Sequence, residues 1–290
     1  MVRCISEALV RAHAAGLERL DAQLLLLHVL GTAPEQLGTR RAWLLAHGED
    51  RLTAPEQLRF DALVQRRASG EPLAYITGHK EFFGLNLQVD RRVLIPRPDT
   101  ETLVEWALEV LAEPLPEPWT PPLSVLDLGT GSGAIALALK HRRPDLQVDA
   151  LDASAGALEV ARANARNLGL RVGLTQGDWL HTVTQRYHCI VSNPPYVAAH
   201  DPHLAALAHE PEQALVSGSD GLDAIRHIVD SARARLHPDG WLLLEHGYDQ
   251  AEAVRTLLAT ARYQNMASRR DLGGHERCTG GQWPGALHCA

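Results

Sequence analysis

Apolar residues recur at helical spacing across residues 5–30, and residues 24–30 are apolar nearly all the way round, the pattern of a helix packed on every side. Two helix starts follow, Thr32-Ala33-Pro34-Glu35 and Thr53-Ala54-Pro55-Glu56. In each, the Thr hydroxyl can accept the third backbone N–H after it, the Glu can reach back, and Pro suits the first turn. The second helix is expected to run to Ser69 and stop at Gly70. From Leu73 the pattern changes. Residues 73–77 and 82–89 are β-branched, aromatic or alternating, with Gly78 and Gly84 as punctuation, which predicts a short hairpin. A helix is expected over residues 100–112. Pro114, Pro116, Pro118, Pro121 and Pro122 then mark a stiff exposed connection.

Beyond it, short apolar runs at 124–128, 147–151, 171–175, 189–192 and 241–245 read as strands. Helical stretches at 134–141, 155–168, 222–236 and 250–261 separate most of them. Continuous apolar strands alternating with helices predict an α/β fold, a parallel sheet covered on both faces. The last two runs, 268–272 and 276–283, have no helix between them, which predicts an antiparallel strand at the end of the sheet. The division expected is a helical domain over 1–72, a hairpin linker over 73–95 and a sheet domain over 96–290.

Composition narrows the function classes. Hydrophobic residues make up 45% of the 290 residues, so disorder is excluded. The longest aliphatic run, 24–27, ends at His28, far short of the about 20 residues that cross a bilayer, and no membrane association is expected. Arg3, Glu7 and Arg11 stand where a signal peptide needs an apolar run, so a cytoplasmic location is expected. Cys4, Cys189, Cys278 and Cys289 form no Cys-x-x-Cys pair and read as ordinary reduced thiols. His200, His203 and His209 fall near Glu210, but Pro202 and Pro211 break any helix that would align them on a metal; a solvated loop without metal is expected. Net charge is -7. Residues 1–84 hold ten basic and ten acidic side chains, leaving eighteen and twenty-five for the rest. A surface that tracks nucleic-acid phosphates needs a basic excess, and the sheet domain lacks one.

Residues 125–133 read Val-Leu-Asp-Leu-Gly-Thr-Gly-Ser-Gly, a strand entering a glycine turn and then a helix. Gly129, Gly131 and Gly133 permit positive φ and close approach of a ligand, with Thr130 and Ser132 between them. Asp152 ends the next strand, where a carboxylate can take both hydroxyls of a ribose. Asp178 ends the third strand region and can accept from an adenine amino group, with the Trp179 ring against the base. This order resembles the Rossmann-like S-adenosylmethionine-dependent methyltransferases. The resemblance implies S-adenosylmethionine as cofactor and Asp127 orienting the loop or the methionyl ammonium.

The fourth strand runs into Asn193-Pro194-Pro195-Tyr196. Prolines stiffen the turn, and they leave backbone carbonyls free beside the amide oxygen of Asn193. A planar amino group can donate one hydrogen to Asn193 and one to the Pro194 carbonyl, with Tyr196 along its face. An amide or exocyclic amine is a poor nucleophile because its lone pair is delocalised. Acceptors placed out of its plane localise that lone pair and aim it at a methyl donor. The turn suits adenine amino groups in DNA or RNA and glutamine side-chain amides in proteins alike.

Glu71-Pro72-Leu73-Ala74-Tyr75-Ile76-Thr77-Gly78, Phe82-Phe83-Gly84, residues 94–101 (Leu-Ile-Pro-Arg-Pro-Asp-Thr-Glu) and Leu242-Leu243-Leu244-Glu245-His246-Gly247 are similar to the HemK-type bacterial release-factor glutamine methyltransferases. The resemblance covers about residues 72–278, whereas the N-terminal helices match in position and character. It implies methylation of the glutamine amide in the Gly-Gly-Gln motif of peptide chain release factors; a monomer that does not bind nucleic acid directly is expected. It also implies Gly129 to Gly133, Asp152, Trp179 and Asn193 as cofactor contacts and Asn193 to Tyr196 as the glutamine site. Pro96 to Glu101 would then cover the pocket, with Arg97 and Glu101 as polar contacts, and the N-terminal helices would grip the release factor. The segment from Pro202 to Pro211 is shorter than in some members. The chain's own Gly280-Gly281-Gln282 is expected to lie in a strand or tail and to take no methyl.

Overall fold

A computed structural model describes residues 2–33, 36–112 and 119–284. It divides into two compact units, Met1–His79 and Lys80–Ala290. Pro34, Glu35, Pro114, Pro116, Pro118 and Cys289 lie outside the described residues.

The first unit is helical: α1 (Ile5–Ala14), α2 (Arg19–Val29), α3 (Leu37–Ala46), α4 (Ala54–Ala68) and α5 (Leu73–Thr77). Helices α1 and α2 divide the 5–30 pattern at Gly16, whose φ of +92° ends the first. Helix α2 is the centre of the unit, with Leu25, Leu26 and Leu27 fully buried beside Ile5 and Phe60. Thr53 caps α4 as its sequence predicts: the Thr53 N–H donates to Glu56 Oε2 at 2.7 Å, and Thr53 Oγ1 accepts the Glu56 N–H at 3.4 Å.

Residues 73–77 do not form the strand expected of them. Pro72 opens a helical turn there, its carbonyl accepting the Tyr75 and Ile76 N–H groups at 3.0 and 3.1 Å, and Gly78 closes it at φ +79°. Tyr75 and Ile76 are both buried, which adjacent residues of a strand, on opposite faces, do not achieve by facing one core. The hairpin starts later, with β1 (His79–Phe82) and β2 (Leu85–Gln88). Its two-residue turn puts Phe83 at φ +51° and Gly84 at φ +79°, the sign that matches the twist of paired strands.

The second unit is a seven-stranded sheet. Its strands are β3 (Ser124–Leu128), β4 (Gln147–Asp152), β5 (Gly173–Gln176), β6 (Tyr187–Ser192), β7 (Leu236–Glu245), β8 (Gln264–Arg270) and β9 (Glu276–Trp283), in the order β5-β4-β3-β6-β7-β9-β8. Pairs from β5 through β7 are parallel. Helices α6 (Glu101–Val110), α7 (Ala134–Arg142), α8 (Ala155–Leu168), α9 (Asp223–Ala232) and α10 (Ala251–Thr260) accompany it, with an apolar core on each face. Asn164, buried in α8, donates to the carbonyls of Gln88 and Ser132 at 3.0 and 2.9 Å and accepts the Gln88 N–H at 2.7 Å, tying the hairpin to the glycine turn.

The antiparallel strand is β9, and it stands one place in from the edge, between β7 and β8. Burial decides that order: the middle of β9 is buried, whereas polar β8 is mostly exposed. Gly280 permits the fit, since a Cβ there would stand 2.5 Å from Leu243 Cδ2 and 3.0 Å from the Trp106 ring. The proline connection is not wholly exposed either. Trp119 at its end is buried, and its indole N–H donates to the Pro238 carbonyl at 3.1 Å.

Candidate active site

Strand order reverses on either side of β3, and the carboxyl ends of β3 to β6 frame a cavity at that switch point. The chain leaves β3 through Gly129, Gly131 and Gly133, at φ +71°, +56° and +85°. A Cβ on Gly129 or Gly131 would meet nothing within 4 Å, and both residues line the cavity with Thr130 and Ser132. Gly133 has a different use. A Cβ there would stand 3.0 Å from Leu137 Cδ1 and 3.3 Å from Ala161 Cβ, so this glycine lets α7 and α8 close on the turn, and it stays off the cavity wall.

Asp127 supports the turn from behind, fully buried and off the wall. Its Oδ2 accepts the Thr130 hydroxyl at 2.6 Å and the Ala136 N–H at 3.2 Å, while Oδ1 has no partner among the described residues. Burial outweighs those bonds and pushes the carboxyl up to about 7. The Gly129 and Thr130 N–H groups donate to the Leu151 carbonyl at 2.8 and 3.0 Å, fastening the turn to β4.

Asp152, at the end of β4, accepts the Gly131 N–H on Oδ2 and the Ser154 N–H on Oδ1, each at 2.8 Å. Burial nonetheless raises its pKa. Ser154, rather than Asp152, caps α8 by accepting the Ala157 N–H at 3.1 Å. Asp178 and Trp179 line the cavity beyond β5, and Trp179 sits at φ +48°, a left-handed position that a bulky side chain adopts only when its surroundings impose it.

On the other side, the Ser192 hydroxyl ends β6 by donating to the Leu128 carbonyl at 2.7 Å. Asn193 follows, its Nδ2 donating to Thr100 Oγ1 at 3.2 Å. That bond leaves the Asn193 amide oxygen as the free acceptor. Asn193 and Pro195 line the cavity; Pro194 and Tyr196 do not. Pro194 is buried, and its carbonyl accepts no backbone N–H among the described residues. The Tyr196 hydroxyl donates to Glu245 Oε1 at 3.4 Å, its carbonyl accepts Gln250 Nε2 at 3.1 Å, and burial raises its pKa. The Val197 N–H donates to the Leu215 carbonyl at 2.8 Å, and the Ser217 N–H donates to the Val197 carbonyl at 2.9 Å, anchoring the turn.

Of the two polar contacts expected from the segment before α6, Arg97 reaches the cavity and Glu101 does not. Glu101 Oε1 instead accepts the Phe83 N–H at 2.9 Å, holding the hairpin turn. Arg97 pairs with Glu210, a buried carboxylate that also accepts the Ile95 N–H at 3.1 Å. Glu210 thus faces inward, away from the exposed His200 and His203. Thr100, within the segment expected to cover the pocket, lines the cavity, as does Gln213, which the sequence did not single out; Glu210, read from the sequence only as a neighbour of the loop histidines, holds Arg97 at the wall, and Glu245 lies behind the Asn193 turn. The legible signal for Glu245 is an acid ending a run of leucines, as Asp152 ends β4.

Open backbone at two glycines, a half-buried acid at the ribose position and an aromatic face beside Asp178 fit S-adenosylmethionine. Residues 101–221 match the family model described as the methyltransferase small domain, and residues 3–78 match the PrmC N-terminal domain. The release factor glutamine methyltransferase of Burkholderia pseudomallei is 48% identical over 282 residues, 94% of each chain. That of Coxiella burnetii is 48% identical over 261 residues, 89% of this chain and 90% of its own. Among solved structures, the 16S rRNA N2 G1207 methyltransferase of T. thermophilus, in complex with AdoMet and guanosine, superposes with a TM-score of 0.52 at 20% identity, covering 70% of this chain and 49% of its own. That likeness is one of fold.

Proposed function

The chain belongs to the release factor glutamine methyltransferases, and from that premise we propose that it methylates the side-chain amide nitrogen of the glutamine in the Gly-Gly-Gln motif of peptide chain release factors. The products are N5-methylglutamine and S-adenosylhomocysteine. The observation that carries the reading is Asn193, held by Thr100 so that its amide oxygen remains a free acceptor at the cavity wall. Identity of 48% over 94% of the chain favours glutamine over adenine, the other acceptor that the Asn-Pro-Pro-Tyr turn suits.

S-adenosylmethionine supplies an electrophilic methyl group on sulfur. Gly129 to Ser132 would make room for it, Asp152 would take the ribose hydroxyls, and Asp178 with Trp179 would receive the adenine. Gly133 and Asp127 serve by shaping the turn from behind. Asn193 Oδ1 and the Pro194 carbonyl accept the two amide hydrogens of the glutamine, and Tyr196 stiffens the turn that carries them. Two acceptors out of the amide plane localise the nitrogen lone pair along the line of attack. With the donor bound, its methyl would pass from sulfur to this nitrogen, and the nitrogen, then positive, would lose its extra proton to solvent without needing a strong base from the protein. The gain is positional and electrostatic, larger in the transition state than in the ground state. Arg97, clasped by Glu210, closes the wall beside the entering peptide, while Glu101 acts only through the hairpin.

The N-terminal helical domain recognises the release factor, with residues 73–95 as the link. No helix among the described residues is long and apolar enough to cross a membrane. The enzyme works in the cytoplasm as a monomer, without touching nucleic acid. Its own Gly280-Gly281-Gln282 lies within β9, where Gln282 donates to the Asp239 carbonyl at 2.9 Å and accepts from Asn265 at 2.6 Å, so that amide is engaged. Incubation with S-adenosylmethionine and a purified release factor, followed by mass analysis of the glutamine peptide, should give one added methyl. An unmodified peptide from folded, cofactor-bound enzyme rejects the proposal.

A further inference from the structure

The two prolines do not by themselves hold the glutamine acceptors in place. Proline fixes φ and leaves ψ free, and ψ of Pro194 is the rotation that swings the Pro194 carbonyl. Neither proline has an N–H with which to pin itself to a neighbour. The turn is fastened before them, by the Ser192 hydroxyl on the Leu128 carbonyl and by Asn193 on Thr100. What fixes the rotation therefore has to grip the chain after them.

That grip falls on the peptide unit between Tyr196 and Val197. Its N–H donates to the Leu215 carbonyl at 2.8 Å, and its carbonyl accepts Gln250 Nε2 at 3.1 Å. Of the carbonyls from Asn193 to Tyr196, that of Tyr196 alone accepts a hydrogen bond among the described residues. Gln250 opens α10, in the loop that follows β7, and is half-buried and off the cavity wall. Its Oε1 accepts the Gly247 N–H at 2.8 Å, while Nε2 also donates to the Asp220 carbonyl at 3.4 Å. These partners fix the orientation of the amide, since an N–H needs its oxygen and two carbonyls need its NH2.

The neighbours of Gln250 are themselves held. The Gly247 carbonyl accepts Nδ1–H of His246 at 2.8 Å, and this fully buried ring bonds Thr279 Oγ1 through Nε2 at 2.7 Å. Gly221 leaves room for the contact. It sits at φ +76°, and a Cβ there would overlap the Tyr196 carbonyl oxygen and stand 2.8 Å from Gln250 Nε2.

We propose that Gln250 is a positioning residue for methyl transfer: by holding the Tyr196 carbonyl it fixes the rotation of the turn, and with it the direction in which the Pro194 carbonyl meets the acceptor amide. This rests on the acceptor role given to Asn193 and Pro194 above. Gln250→Glu isolates the contact. Its carboxylate still accepts the Gly247 N–H, and it stands at the positive end of α10, where a negative charge is favoured. It has no proton for the Tyr196 carbonyl, so the peptide unit keeps only its bond to Leu215.

The test is steady-state methylation of a purified release factor by the full-length enzyme at pH 8, with cofactor affinity and unfolding measured alongside. Gln250→Glu should lower kcat by about tenfold, the scale of one hydrogen bond. The KM for the release factor, the Kd for S-adenosylmethionine and the unfolding midpoint should hold, whereas a merely structural role would move the midpoint and spare kcat. The proposal is overturned if Gln250→Glu keeps kcat within twofold of the wild type, or if its loss appears in cofactor Kd or stability instead. If Gln250→Glu does not fold, Gln250→Met decides, being of similar length without donor or acceptor: turnover equal to the wild type overturns the proposal. Asn193→Ala in the same assay separates the two levels. A slow Asn193→Ala beside a fully active Gln250→Glu refutes the positioning role alone, and a fully active Asn193→Ala refutes the mechanism on which it rests.

Discussion

Asp127 makes the glycine turn and destabilises the fold while doing so, and that tension is measurable. Its carboxyl is fully buried, with one oxygen bonded twice and the other without a partner among the described residues. Burial raises its pKa from 3.8 to about 7. Below the unfolded value both states hold the proton and the fold has its full stability. As pH rises through the interval up to about 7, the unfolded chain ionises while the native carboxyl stays protonated, so stability falls; above it the loss is constant. A tenfold change in proton affinity is worth about 1.4 kcal/mol, so the loss approaches about 4 kcal/mol at pH 8 and about 1–2 kcal/mol at pH 5. Asp127→Asn keeps an oxygen for the Thr130 and Ala136 donors and removes the ionisation. Its advantage over the wild type should therefore grow by about 2–3 kcal/mol between pH 5 and pH 8. Denaturant unfolding of the ligand-free proteins at the two pH values reads this difference, and Glu245, raised the same way, cancels in the comparison. A stability difference that is the same at both pH values, or that shrinks toward pH 8, refutes the reasoning.

Two further outcomes follow from particular side chains. Asp152→Ala removes the carboxylate assigned to the ribose together with the acceptor for the Gly131 N–H at 2.8 Å; cofactor titration should show affinity down by about tenfold to a hundredfold, the range for a charged hydrogen bond. Phe60→Ala empties a fully buried site in the helical unit, and a loss of about 3–5 kcal/mol in that unit's unfolding is expected.

Legibility in the sequence followed the range of the interaction. The Thr53 cap, the alternation of strands and helices, the glycine turn and the acids at strand ends are set by neighbours a few residues apart, and they stand where their patterns put them. Residues 73–77 misled because their β-rich composition says nothing of Pro72 and Gly78 acting as helix start and stop. The place of β9 was hidden because order within a sheet depends on which of two strands is the more apolar and on the close approach at Gly280. Glu210 and Glu245 act on residues more than a hundred and about fifty positions away, Arg97 and Tyr196, and no local pattern marks such pairings. Gly133 and Glu101 carry family-like motifs, yet they serve packing and the hairpin turn rather than the cavity wall.

The central claim is that a fixed acceptor beyond β6 activates a reluctant amide. Single-turnover methyl transfer by Asn193→Ala, with the enzyme saturated in S-adenosylmethionine and a release factor as acceptor, tests it most directly. The account predicts transfer slowed by roughly a hundredfold or more with cofactor affinity largely kept, the scale for losing a positioned polar group in a transition state. Transfer at the wild-type rate would contradict it.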